Sequence, residues 1–234
     1  MLTKIELNDM IWQYSRHFGN LLGYCESSAM NGDGTVALIM ILNILESAEQ
    51  NCLNDFECNA KKLIQVLRIK GIISQIECDF LNNDSNGIRS VRNIFVHKNI
   101  SAYYFTMPEI SGELQYPFSE NANCLIFYDC ISYPLFLLIS NLIAYDDTEQ
   151  NEEEKLPSNN RHDFQEDVEL SIIDNEIQKI HFDIGKLTPE ELFRQKGIDP
   201  TAILKLGFND ARLYRLADNA SDVNLLEHIY KYLF

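Results

Sequence analysis

Apolar residues recur at helical spacing along most of the chain. Across residues 4 to 30, the apolar positions Ile5, Leu7, Ile11, Trp12, Tyr14, Phe18, Leu21, Leu22 and Cys25 suit an amphipathic helix. "NGDGT" (31 to 35) supplies a turn with Asp33 or Thr35 as the expected N-cap of a second long helix, "VALIMILNILESAEQNCL". That helix is apolar almost all round at its start, which predicts burial. "ECNAKKLIQVLRIKG" predicts a third helix ended by Gly71, and "IISQIECDFLN" a fourth, broken by "NDSNG" before "GIRSVRNIFVHKN" (87 to 99). Beyond His97 the chain turns irregular, with Pro108, Gly112 and Pro117 preventing a long helix.

Residues 121 to 145 then form an apolar helix. Its segment Leu125 to Tyr145 is about long enough to cross a membrane, but it contains Asp129, Ser132, Pro134, Ser140 and Asn141 and lacks basic flanks. A buried core helix without membrane insertion is the expectation, kinked or broken at Pro134. Next comes "DDTEQNEEEKLPSNNRHDFQED", almost devoid of apolar residues, which predicts a solvated acidic linker over 147–167. It separates a helical domain, 1–146, from a C-terminal module, 168–234. In that module "LTPEELFRQK", "GIDPTAILKL" and "GFNDARLYRL" align with a period of ten. Thr188-Pro189 and Asp199-Pro200 look like an N-cap followed by an N1 proline, and Gly197 and Gly207 like C-terminal glycines. The pattern predicts two-turn helices, each too short to stand alone, packed side by side as a docking surface. The fold class is all-α.

Composition adds few restrictions. The 234 residues are 46% hydrophobic, enough for a sizeable core. The net charge of −16 repels phosphate backbones at long range, so any nucleic-acid activity needs a local basic site or a partner that supplies positive charge. Six cysteines, at 25, 52, 58, 78, 124 and 130, form no Cys-x-x-Cys pair, and the two pairs spaced six apart lack nearby histidines. Reduced, mostly buried thiols in a cytoplasmic protein are the expectation, with no zinc site and no cofactor motif. The N-terminus has no apolar signal-peptide core.

The chemistry concentrates in residues 87 to 99. On a helix, Ile88, Val91 and Phe95 form one stripe, with Ile94 beside it, while Arg89, Asn93 and His97 stack four apart on the opposite face. Arg92 sits at the border, where its long side chain can swing toward His97. Periodicity alone favours a solvated edge of no chemical consequence, because arginine and histidine are common on surfaces. One reaction nevertheless suits the pair. Attack of an RNA 2′-hydroxyl on its own phosphate needs proton transfer near neutral pH, which histidine performs. It also needs stabilisation of a charged phosphorane, which guanidinium supplies.

Arg92-Asn93-Ile94-Phe95-Val96-His97 resembles the R-x4-H signature, in its R-N-x3-H form, of HEPN-domain proteins (higher eukaryote and prokaryote nucleotide-binding). The two long N-terminal helices, the motif on a later helix and the final apolar helix are similar to that family over residues 1–146. The resemblance implies a HEPN-like helical bundle and metal-independent endoribonuclease activity, in a toxin–antitoxin or antiviral system, or else a non-catalytic nucleotide-binding or interaction module. It implies that Arg92 binds the scissile phosphate and that His97 is general acid or base. Asn93 would orient the histidine or contact the phosphate. It also implies a homodimer in which two motif helices face each other, bringing Arg89 and Lys98 to the RNA. An antitoxin or regulatory protein would bind through the C-terminal module. In members controlled by a nucleotidyltransferase antitoxin, a modified tyrosine stands two residues after the histidine; here that residue is Asn99, and the nearest tyrosines are Tyr103 and Tyr104.

Overall fold

The computed structural model describes residues 2–108, 114–150 and 170–219. Six helices come first: α1 (Lys4–Tyr14), α2 (Arg16–Met30), α3 (Gly34–Leu53), α4 (Ala60–Ile69), α5 (Gln75–Asn82) and α6 (Ile88–His97). A 3-10 turn (Ile100–Ala102) leads into strands β1 (Tyr103–Thr106) and β2 (Tyr116–Pro117), then the long helix α7 (Asn121–Gln150). Helix α8 (Leu170–Ile177), strand β3 (Asp183–Lys186) and helices α9 (Pro189–Gln195), α10 (Thr201–Leu204) and α11 (Asp210–Asn219) complete the described chain. The protein is mostly α-helical, with one small sheet among the described residues.

The single N-terminal helix expected from periodicity is two. Ser15 adopts an extended conformation (φ −141°, ψ 103°), ends α1, and accepts a hydrogen bond from the Phe18 N–H at 3.4 Å as N-cap of α2. A serine hydroxyl that satisfies a free N–H makes a one-residue break inexpensive, and the apolar stripe continues across it. Helices α3 and α7, both long and apolar enough to cross a membrane, pack on each other as the central pair. They bury Ala37, Leu38, Ile41 and Leu45 against the side of α7 that carries Tyr128, Ile131, Leu135 and Leu138. Helix α7 runs through Pro134 without a break and past the expected start of the linker as far as Gln150. The rest of that linker, 151–167, lies outside the described residues, as do 220–234.

Two features of the fold have no counterpart in the periodicity. The stretch after His97 forms the centre of a three-stranded antiparallel sheet, ordered β2-β1-β3. Within it Tyr103 pairs with Lys186, Tyr104 with Gly185, and Phe105 with both Ile184 and Tyr116. Secondly, residues placed by sequence in the C-terminal module enter the main core. Ile173, Ile177 and Phe182 are buried there, with the Phe182 ring edge-on to Phe127 at 4.9 Å. A smaller apolar cluster, Leu187, Leu192, Phe193, Leu213 and Ala217, holds the short helices together. Thr188 forms a reciprocal capping box with Glu191 ahead of Pro189, and Gly197 and Gly207 have positive φ (72° and 68°), the punctuation the ten-residue period predicts.

Candidate functional site on helix α6

Helix α6 starts where the sequence places a glycine. Gly87 is its N-cap, and a Cβ there would lie 2.5 Å from the Asn83 carbonyl oxygen and 2.6 Å from the Asn83 nitrogen. Those are backbone atoms of the preceding turn, so any larger residue would re-aim the helix. Ile88, Val91 and Ile94 are fully buried, and Phe95 packs edge-on against Phe118 with ring centroids 5.5 Å apart. The opposite side is the expected polar face, on which Arg89 and Asn93 are half-buried and His97 is exposed.

The two arginines of this face are already engaged. Arg89 donates from Nε to the Asn82 side-chain oxygen at 2.8 Å and from Nη2 to Asp84 Oδ1 at 2.5 Å. Asp84 is also bound by Lys61, and these hydrogen bonds hold its carboxyl below the usual carboxylate range. Arg92 does not swing toward His97; it turns to α3 and pairs with Glu46 through Nη2. Its long side chain starts at the border of the apolar stripe, so α3 is the neighbour it meets. The pair is only partly buried, with side chains 24% and 20% exposed, so solvent still reaches part of both side chains.

One turn along α3 from Glu46, Glu49 is 2% exposed. Burial, then the charge of Glu46, pushes its carboxyl up to about 8, and Arg92 opposes the rise. The Arg92 Nε and the Glu49 Oε1 have no hydrogen-bond partner. A cavity of about 20 Å³, lined by Leu42, Leu45, Glu46, Glu49, Ile88 and Arg92 among others, lies where α3 and α6 meet α4 and α5. The sequence carried a signal for this cluster: two glutamates three apart in "ILESAEQ", on a helix whose first half is almost entirely apolar.

This cluster gives stability a pH dependence. The folded state keeps the Glu49 proton up to about pH 8, whereas an unfolded chain releases it near the ordinary glutamate value of 4.5. The stabilisation is therefore complete below pH 4.5 and is lost as pH rises through about 8, at up to about 1.4 kcal/mol per pH unit. Glu77, fully buried at the start of α5 and raised to about 7 chiefly by burial, adds in the same direction over the lower part of the window. Glu49→Gln is expected to unfold at a higher urea concentration than the wild type at pH 8.5 and at a similar one at pH 5. An unchanged pH slope in the variant would contradict the burial of Glu49.

His97 ends α6 with its imidazole exposed and makes no hydrogen bond or ion pair among the described residues. Asn93, one turn earlier, likewise has no side-chain hydrogen bond there. Lys98 caps the helix and places its Nζ 5.1 Å from the centre of the Tyr103 ring. The sequence thus located the polar face correctly but missed the acidic partners from other elements: Glu46 and Glu49 on α3, and Asp84 before α6. No group of three or more histidine, cysteine or acidic side chains among the described residues is arranged to hold a metal ion. Compared with protein-family models, with curated protein sequences and with solved structures, the chain finds no match in any of the three.

Proposed function

We propose that this chain is a metal-independent endoribonuclease of the HEPN type, acting in a toxin–antitoxin or antiviral system. The observation that carries the reading is the free, exposed His97 at the end of α6, on the same face as Asn93 and beside the guanidinium-bearing border of the helix. Imidazole titrates near neutral pH, so one histidine takes the proton of the 2′-hydroxyl and a second delivers one to the departing 5′-oxygen. In this scheme the 2′-oxygen–phosphorus bond forms, the phosphorus–5′-oxygen bond breaks, and the products carry a 2′,3′-cyclic phosphate and a 5′-hydroxyl. A homodimer through α6 supplies the two histidines and two Arg92 side chains.

Glu46 takes one donor of Arg92 and the Nε is buried, so only the outer part of its guanidinium remains for phosphate. Asn93 orients the imidazole or contacts the phosphate, and Arg89 and Lys98 contribute positive charge. The reading is tested by incubating the purified full chain with single-stranded RNA in EDTA: cleavage is expected, and intact RNA at high protein concentration would overturn it. One observation favours a second reading, a HEPN-like module that binds without cutting: both arginines of the face already have carboxylate partners, Asp84 and Glu46. Retention of RNA or a nucleotide without turnover would select that reading.

A further inference from the structure

Charge is unevenly distributed along this acidic chain. Residues 85 to 108 contain Arg89, Arg92 and Lys98 and not one acidic side chain. Residues 186 to 217 contain six basic and four acidic side chains. Together these segments hold nine of the 19 basic residues and only four of the 35 acidic ones, so the rest of the protein is more acidic than its total suggests. The pairing of β1 with β3 joins the two segments, with Tyr103 opposite Lys186 and the Leu187 N–H bonded to the Ala102 carbonyl at 2.8 Å.

At that junction two lysines share one tyrosine. The Lys98 Nζ stands 5.1 Å and the Lys186 Nζ 5.9 Å from the centre of the Tyr103 ring, so the two ammoniums are no more than about 11 Å apart. Lys186 also lies 4.4 Å from the ring centre of Tyr214, whose hydroxyl is anchored by donating to the Leu187 carbonyl at 2.7 Å. Both lysines are exposed, and among the described residues neither has a carboxylate partner. Lys4, Lys61, Lys179, Arg89, Arg92 and Arg194 all do. Aromatic faces hold an ammonium in place without neutralising it. The result is a pair of pre-positioned, uncompensated cations beginning one residue after His97.

We infer that Lys98 and Lys186, seated on Tyr103 and Tyr214, form a phosphate-binding track that leads single-stranded RNA from His97 across the β1–β3 junction onto the C-terminal helices. This rests on the reading of the α6 face as an RNA site. The ligand chemistry is a phosphodiester backbone: the cations are spaced along a line, and the ring faces carry lysines in place of bases. Binding is therefore tolerant of sequence and sensitive to salt. The C-terminal module thereby gains a share in substrate binding, in addition to any regulator it docks.

The test measures binding of a labelled, 2′-O-methylated single-stranded RNA, which lacks the attacking hydroxyl and stays intact, by fluorescence anisotropy in EDTA and over a range of salt concentrations; cleavage is followed separately on unmodified RNA. It compares the full chain, its Lys98→Gln/Lys186→Gln double variant and Lys179→Gln. The double variant is expected to bind at least about tenfold more weakly at 0.1 M salt, with a logarithmic salt slope shallower by about 1.4, while Lys179→Gln, at an exposed lysine already paired with Glu176, binds like the wild type. Unchanged affinity and slope in the double variant overturn the track, and if the wild type still cleaves RNA, the nuclease reading survives that result. Lysine-dependent binding without cleavage by the wild type supports the track and removes the nuclease reading. A lowered melting temperature with unchanged affinity shows that the lysines only cover the rings, and overturns it. Displacement of RNA by polyglutamate as readily as by unlabelled RNA of equal charge identifies an acidic-peptide surface, and overturns it too.

Discussion

His97→Ala is expected to slow RNA cleavage at least about 100-fold while leaving folding stability within about 0.5 kcal/mol of the wild type. The imidazole is exposed and has no partner among the described residues, so its removal opens no cavity and strands no polar group. Loss of cleavage in that variant therefore reports chemistry and not unfolding. Arg92→Ala offers no such separation. It breaks the pair with Glu46 and leaves that partly buried carboxylate, with Glu49 behind it, without a counter-charge. Its expected cost is about 1–3 kcal/mol, discounted for the solvent that reaches both side chains. The comparison to make is Arg92→Ala against His97→Ala, with melting and cleavage measured on the same preparations. Wild-type cleavage in His97→Ala would remove the histidine from the mechanism.

Gly34→Ala is expected to destabilise the fold by about 3 kcal/mol or more, lowering the melting temperature by roughly 6–12 °C. Gly34 opens α3 where that helix crosses the start of α7. A Cβ there would lie 2.3 Å from the Leu125 nitrogen and 2.5 Å from the Asn121 carbonyl oxygen. Both are backbone atoms, so no side-chain rotation relieves the clash, and the two central helices must part. The crossing is also clamped by Asn121, which accepts from the Thr35 N–H at 2.9 Å and donates to the Gly32 carbonyl at 2.6 Å. Val36, two residues on and 48% exposed, provides the control. Val36→Ala should change stability by no more than about 0.5 kcal/mol. Equal melting temperatures for the two variants would contradict the close approach of α3 and α7.

The parts of this structure legible in the sequence are those whose causes are local. The two faces of α6 follow from residues three and four apart, and helix α9 and the turns at Gly197 and Gly207 from local caps and glycines, whereas α10 is a single turn that starts after Pro200 and not at the Asp199 cap expected. Burial of α7 follows from its largely apolar composition, whereas the break expected at Pro134 is absent and the helix continues through it. What escaped depends on distant partners. Strand β1 is four residues long and obtains its place from β3, some eighty residues later, a pairing that no period within "YYFT" announces. Ser15 breaks a helix without disturbing the apolar stripe, so the pattern reads the same with or without the break. Arg92 could be placed at the border of its helix but not assigned to Glu46, because that choice depends on how α3 crosses α6. The same crossing buries Glu49, a carboxylate that sequence alone places on an ordinary helix turn.

The most direct test of the proposed chemistry is the identity of the RNA ends produced by the full chain in EDTA. Attack by the 2′-hydroxyl predicts 2′,3′-cyclic phosphate and 5′-hydroxyl termini, detectable by mass spectrometry of the cleaved oligonucleotide and absent with His97→Ala. Fragments bearing 3′-hydroxyl and 5′-phosphate ends, or RNA that remains whole, would contradict the assignment of Arg92 and His97 to RNA cleavage.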